Sequence, residues 1–293
     1  MHRNWLSKMK HFSKRNFIQL AAMALMNGYV VGYAKGRIFT GASKRVCFPV
    51  LNCYSCPGAI GSCPIGSLQS VISGRKYRFS FYVLGFLMLF GILFGRLICG
   101  FLCPFGFIQD LLHKIPVPKI KISSKIDGYL RYLKYIVLIL MVIILPMLVR
   151  DKYGSGTPYF CKYICPEGTL GAGIPLLIKN NSLRMAIGAL FNWKIGIMIT
   201  ILVLSIITYR PFCKYLCPLG AFYGLFNKFS FYQLKVDKEK CTGCKVCEKS
   251  CKMGVKITED INSAECIRCG ECIDVCKFNA IDKDKTILRF KTK

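Results

Sequence analysis

The chain has 293 residues, 53% of them hydrophobic, with 42 Lys+Arg against 14 Asp+Glu and a formal net charge of +28. Apolar mass and charge on that scale must lie in different places, as they do in an integral membrane protein. The charge by itself raises nucleic acid as a partner. The apolar stretches between the basic residues are too long for a soluble basic domain, and none of the usual nucleic-acid modules is present, so that class is excluded. The positive charge is expected instead to flank helices, face anionic membrane lipid and offset thiolate charge.

In chain order, a basic N-terminal stretch (Arg3, Lys8, Lys10, Lys14, Arg15) precedes the apolar segment 17–34. That segment lacks a convincing cleavage site and reads as a retained membrane helix rather than a signal peptide. A hydrocarbon core of about 30 Å takes about 20 residues of helix. Segments 79–98, 132–149 and 193–209 approach that length, whereas 17–34 is diluted by Asn27, Gly28 and Gly32. Four spans with the N-terminus inside return the C-terminus to the inside. The Lys/Arg bias agrees only shallowly, because Lys35, Arg37, Lys44, Arg45, Arg150 and Lys152 then fall outside. The expected location is the plasma membrane, multi-pass, with both termini cytoplasmic.

Between the spans, the ending C-P-x-G occurs four times, at Cys63-Pro64-Ile65-Gly66, Cys103-Pro104-Phe105-Gly106, Cys165-Pro166-Glu167-Gly168 and Cys217-Pro218-Leu219-Gly220. Three of these extend to C-x3-C-P-x-G, with Cys99, Cys161 and Cys213 leading, while the first has Cys53 and Cys56 upstream. On four spans the motifs alternate outside, inside, outside, inside. Residues 1–230 therefore read as an all-α integral membrane helical bundle of two parallel repeats. Proline suits the first turn of a helix, where its missing N–H has no partner. The preceding Cys then sits at a helix N-terminus, where the dipole favours a thiolate or an anionic cluster.

Paired face to face, the repeats bring Cys99 and Cys103 to Cys213 and Cys217 on the inner side. On the outer side Cys161 and Cys165 meet two of Cys53, Cys56 and Cys63, with Cys47 as a spare. Each set is a candidate iron–sulfur site, and disulfides or redox-active thiols are the competing readings. Asp110 and His113 follow the second motif. A proton or quinone site is one reading of them, and a solvated juxtamembrane turn is the preferred one.

Past Ser230 the composition turns Lys-rich and Cys-rich, which sets off residues 231–293 as a small domain that needs metal to hold its core. Residues 241–251 read CTGCKVCEKSC and 266–276 read CIRCGECIDVC. Both have the C-x2-C-x2-C-x3-C spacing of bacterial two-cluster ferredoxins, in which the fourth Cys of each run ligates the other cluster. One [4Fe-4S] cluster is then assigned to Cys241, Cys244, Cys247 and Cys276, the other to Cys266, Cys269, Cys272 and Cys251. The expected fold is a small α+β ferredoxin-like domain in a reducing compartment, the cytoplasm. Lys252 and Lys277 stand where proline usually follows the fourth Cys. No nucleotide fingerprint or nucleophile–base arrangement is present, so the chain reads as an electron-transfer component rather than an independent enzyme.

The pair CGFLCPFGFIQDLLHK and CKYLCPLGAFYGLFNK, followed by the two ferredoxin runs, resembles the NapH/NosR-type membrane polyferredoxins over roughly residues 80–280. The resemblance implies electron transfer between a quinone-linked or cytoplasmic donor and a redox partner protein, often one beyond the membrane. It carries over Cys99, Cys103, Cys213 and Cys217 as the inner motifs and the eight ferredoxin cysteines as ligands. Cys47, Cys53, Cys56, Cys63, Cys161 and Cys165 are additions to that pattern. An assembly factor supplying electrons to a metalloenzyme is the main alternative function, and a redox sensor is a weaker one.

Overall fold

The computed structural model describes residues 14–74, 81–120, 122–149 and 156–283. Arg3, Lys8, Lys10, Arg150, Lys152 and the first two residues of the predicted span 79–98 lie outside them.

Two helices are long and apolar enough to cross a membrane, Lys125–Leu148 and Ala189–Ile207, with mean hydropathies of 2.0 and 2.1. Only 28% and 17% of their apolar windows is buried within the protein, so their side chains face outward as lipid-facing helices do, not inward like a soluble core. Trp193 and Leu148 are among these exposed groups.

The other two predicted spans are shorter than expected. Helix α1, Lys14–Met26, stops at the Asn27–Tyr29 break, where the Asn27 amide folds back onto the Met23 carbonyl at 3.1 Å. Helix α2, Phe81–Phe94, ends at Gly95, whose φ of 52° turns the chain into the short helix Leu97–Phe101. A Cβ at Gly95 would also meet the Asn227 side chain at 2.5 Å. Four full-length spans are therefore not present among the described residues.

Both π-helical stretches, Val137–Ile144 and Gly168–Gly173, end two residues before a proline, Pro146 and Pro175. Proline cannot donate to the carbonyl four residues back and its ring crowds it, and a wider turn relieves both. The predicted helix starts after Cys hold. Helices α3 (Pro64–Ile72), α4 (Pro104–His113) and α5 (Pro218–Phe226) each begin at the proline, with Cys63, Cys103 and Cys217 as N-caps.

The C-terminal segment is closed by a two-stranded antiparallel sheet, β1 (Leu234–Val236) on β2 (Ile281–Lys283), with Lys235 opposite Asp282. It is not a detached lobe. Leu234, Met253, Val255 and Ile267 share one apolar core with Leu87, Phe105, Phe212 and Tyr223.

Two fully buried arginines and their partners lock the two parts together. Arg96 donates to the Ala264 carbonyl at 2.7 Å and to Glu265 at 2.9 Å, and Lys134 pairs with the same carboxylate. Arg268 reaches back to the Phe94 and Asn227 carbonyls at 2.9 and 2.7 Å.

Candidate metal centres

In the C-terminal segment the two cysteine runs have the same backbone plan. Gly243 and Lys245 flank Cys244 with φ of 68° and 55°, and Arg268 and Gly270 flank Cys269 with φ of 54° and 84°. Alternating left-handed residues turn successive N–H groups toward one centre, a concavity that favours an anion. Each loop uses one glycine where the conformation is free and one residue where it is strained. Arg268 is held in that conformation by its three bonds to Phe94, Asn227 and Ser230.

The thiols group as the spacing predicts. One apolar pocket is lined by Cys241, Cys244, Cys247 and Cys276, and a second by Cys251, Cys266, Cys269 and Cys272, so the fourth ligand crosses in both cases. Two four-thiol sets with crossed membership fit a pair of cubanes. Among the described residues no group is drawn close enough to hold a single metal ion.

The inner motifs also meet. Cys99, Cys103, Cys213 and Cys217 are all buried and lie within electrostatic range of one another. Two arginines cross between the halves in mirror fashion. Arg96 donates to the Cys213 carbonyl at 2.9 Å, and Arg210 to the Cys99 carbonyl at 2.6 Å. A Cβ at Gly106 would press on Arg210 and the Cys99 carbonyl, both at 3.2 Å. One at Gly220 would press on Arg96 and the Cys213 carbonyl at 3.3 and 3.2 Å. The glycine of the two inner C-P-x-G motifs thus leaves room for the arginine that crosses from the other half. In the last motif the Gly220 N–H also donates to the Cys217 thiol at 3.4 Å.

In the second set Cys53 and Cys63 lie within electrostatic range of Cys161 and Cys165. Cys56 turns away to Tyr33, 3.0 Å from its hydroxyl, and Cys47 lies 3.6 Å from the Ser67 hydroxyl. Burial pushes the Cys53 and Cys161 thiols up to about 12 and raises those of Cys103, Cys165 and Cys217. Alone, such thiols stay protonated at neutral pH, and a bound cation is what makes them thiolates. All eighteen cysteines lie among the described residues, and all are free of disulfides.

Two glutamines complete the repeat. Gln69 Nε2 donates to Cys161 Sγ at 3.3 Å while its Oε1 accepts from the Phe160 N–H at 3.1 Å. Gln109 does the same to Cys213 Sγ at 3.1 Å and the Phe212 N–H at 3.2 Å. The signal is present in the sequence as CPIGSLQ and CPFGFIQ, two C-P-x-G-x2-Q strings facing two F-C-K-Y strings. Sequence reasoning passed over it.

Asp110 corrects the reading of a solvated juxtamembrane turn. It is only 4% exposed and receives Arg210 through two hydrogen bonds of 2.7 and 2.5 Å, with Arg15 at 3.2 Å. Burial alone would raise its carboxyl, but the two guanidinium groups reverse this and hold it below the usual range. Asp110 therefore anchors Arg210 rather than facing water. Glu167 is buried beside the outer set, and burial pushes its carboxyl up to about 8.

Between the inner and outer sets stands Tyr223, fully buried, six places after the start of the last inner motif's C-P-x-G and on α5. Its hydroxyl donates to the Pro49 carbonyl of the outer loop at 3.2 Å, and its phenol feels Cys99 and Cys103 on one side and Cys63 and Cys47 on the other. Toward the C-terminal segment, a Cβ at Gly100 would strike the Ile267 carbonyl, so the inner set adjoins the loop that carries Cys266 and Cys269.

A 4Fe-4S binding domain family matches residues 79–123, 133–181 and 193–238, and a second 4Fe-4S binding domain family matches 234–256 and 259–282. An uncharacterized protein of Methanocaldococcus jannaschii, MJ0749, is 33% identical over 223 residues, 74% of this chain and 76% of its own length. The regulatory protein NosR of Stutzerimonas stutzeri is 27% identical over 62% of this chain and 23% of its own length. The ferredoxin-type protein NapH of Haemophilus influenzae is 25% identical over 64% and 62%. No solved structure matches the chain. With its matched 4Fe-4S domains and these relatives, the chain belongs to the NapH/NosR-type membrane polyferredoxins, iron–sulfur proteins of electron transfer.

Proposed function

We propose that the chain is an electron conduit between a cytoplasmic or quinone-linked redox partner and a partner at or beyond the membrane. In this reading residues 1–230 form the membrane domain and 231–293 the cytoplasmic one. Four sites lie in series: Cys241/Cys244/Cys247/Cys276, Cys266/Cys269/Cys272/Cys251, Cys99/Cys103/Cys213/Cys217 and Cys53/Cys63/Cys161/Cys165. A cubane bound at any of them supplies a one-electron store. The chain supplies the order, the spacing and a dry, positively charged surround.

The observation that carries the reading is Tyr223. A membrane core of about 30 Å would isolate motifs lying at its two surfaces. Tyr223 is six residues beyond Cys217, about 9 Å along a helix, and its hydroxyl already touches the outer loop at Pro49. The outer motif therefore dips into the protein, where irregular backbone is tolerable because protein encloses it.

Replacing this ring tests the route. Tyr223→Leu is expected to keep iron content and EPR signals while slowing reduction of the outer centre by roughly tenfold or more, a loss of about 1.4 kcal/mol per decade. Tyr223→Phe should stay near the wild-type rate. If Tyr223→Leu with full iron transfers electrons as fast as wild type, the ring is not on the route. Orientation has its own test. A membrane-impermeant thiol reagent on intact cells should label single cysteines placed near 40 and 182, and none placed at 238. Labelling at 238 alone would invert the topology.

A further inference from the structure

The two cysteine sets of the C-terminal segment meet solvent differently. Around Cys251, Cys266, Cys269 and Cys272, Arg268 is only 2% exposed, Cys272 is buried, and Tyr209 lines the same pocket. In the other set Cys244 is exposed. The pocket lined by its four thiols is walled on the outside by Val246 and Phe278, which are 48% and 50% exposed. A partner protein that exchanges electrons from solution meets this set first.

Lysines ring that face. Lys240 precedes Cys241, Lys245 follows Cys244, Lys277 follows Cys276, and Lys249 stands one helical turn beyond Lys245; all four are exposed. Nearby carboxylates are partly spent. Asp237 is engaged by Lys240 at 3.3 Å, and Glu248 accepts from the Thr258 N–H and hydroxyl at 3.0 and 2.5 Å. Glu239 and Asp274 remain exposed, so positive charge dominates without being alone.

An apolar centre with a charged rim is the usual anatomy of a protein–protein contact, and rim charge acts mainly through steering and specificity. We infer that Val246, Phe278 and the lysines around Cys244 form the docking face for an acidic one-electron carrier protein. The occupant follows from charge complementarity and from the exposed thiol at the centre of the face. The inference rests on the conduit reading and names its soluble partner. With a [4Fe-4S] cluster held by Cys241, Cys244, Cys247 and Cys276, one electron would leave the reduced carrier, oxidising it, and reduce that cluster. No bond forms or breaks.

The experiment uses the full-length protein in detergent under anaerobic stopped flow, with a purified acidic [2Fe-2S] ferredoxin as the reductant. Its second-order rate constant should fall tenfold or more between low and high salt, because steering of this kind is worth about 10- to 1,000-fold and is screened by ions. The double variant Lys249→Glu/Lys277→Glu should lose at least tenfold at low salt and converge with wild type at high salt, while Lys249→Arg/Lys277→Arg keeps the wild-type rate. Photoreduction by a neutral deazaflavin should proceed alike in all three. A wild-type rate that is flat or rises with salt, or charge reversal without effect on the ferredoxin reaction, would overturn the inference. The conduit reading is judged separately, by whether deazaflavin electrons reach the membrane centres.

Discussion

Glu265→Ala should cost about 3–5 kcal/mol of stability, because removing one partner of a buried ion pair leaves uncompensated charge behind. Here two cations would be stranded. Arg96 and Lys134 are both fully buried, and both rest on this one carboxylate. Burial by itself would raise the Glu265 carboxyl, but Arg96 and Lys134 overcome that and hold it below the usual range. Its contribution is therefore present above the ordinary Glu pKa of about 4.3 and is lost as pH falls through the lowered folded value. Thermal unfolding at neutral pH reads the effect directly. Glu265→Gln, which keeps the shape without the charge, should recover only part of the loss. An unchanged melting temperature for Glu265→Ala would mean that the two cations are held by something else.

Cys99→Ser or Cys217→Ser should remove one cubane, about four irons per chain, and leave the signals of the two ferredoxin-type centres in place. Cys161→Ser should remove a different centre with its own spectrum. The grounds are the two separate groupings, inner and outer, which share no thiol. Metal analysis together with EPR of the dithionite-reduced protein distinguishes the cases. Unchanged iron in all three variants would return the membrane cysteines to free thiols, and the conduit would end at the C-terminal segment.

The parts of the site that could be read from sequence were those fixed by short spacings. The crossed sets around Cys251 and Cys276 follow from C-x2-C-x2-C-x3-C, because three thiols of one loop face one centre and the fourth is carried past it. The helix starts after Cys63, Cys103 and Cys217 follow from proline's missing N–H. What depended on partners far along the chain stayed hidden. Asp110 looked like a surface residue because Arg210, its partner, is 100 residues away. Which outer cysteines join Cys161 was undecidable from spacing, since only the fold turns Cys56 toward Tyr33. Gln69 and Gln109 were different, for their matched position six residues after Cys was visible and simply not used. The spans at 17–34 and 79–98 were judged by hydropathy, which does not register the stop that Gly95 makes by adopting a left-handed turn.

The crossed arginines have a consequence for how the protein is made. Arg96 and Lys134 enter the membrane domain early, yet the carboxylate that neutralises them lies 169 and 131 residues further on. Until Glu265 has been synthesised and its loop has folded, those two cations have no reason to leave the membrane surface, and Arg96 cannot settle on the Cys213 carbonyl. Arg210 and Gln109 can join the inner halves without Glu265, but the Arg96 clamp on the Cys213 carbonyl is completed only with it. A chain truncated before residue 265 should reach the membrane with Arg96 and Lys134 lacking their carboxylate and the inner set held by the Arg210 side alone.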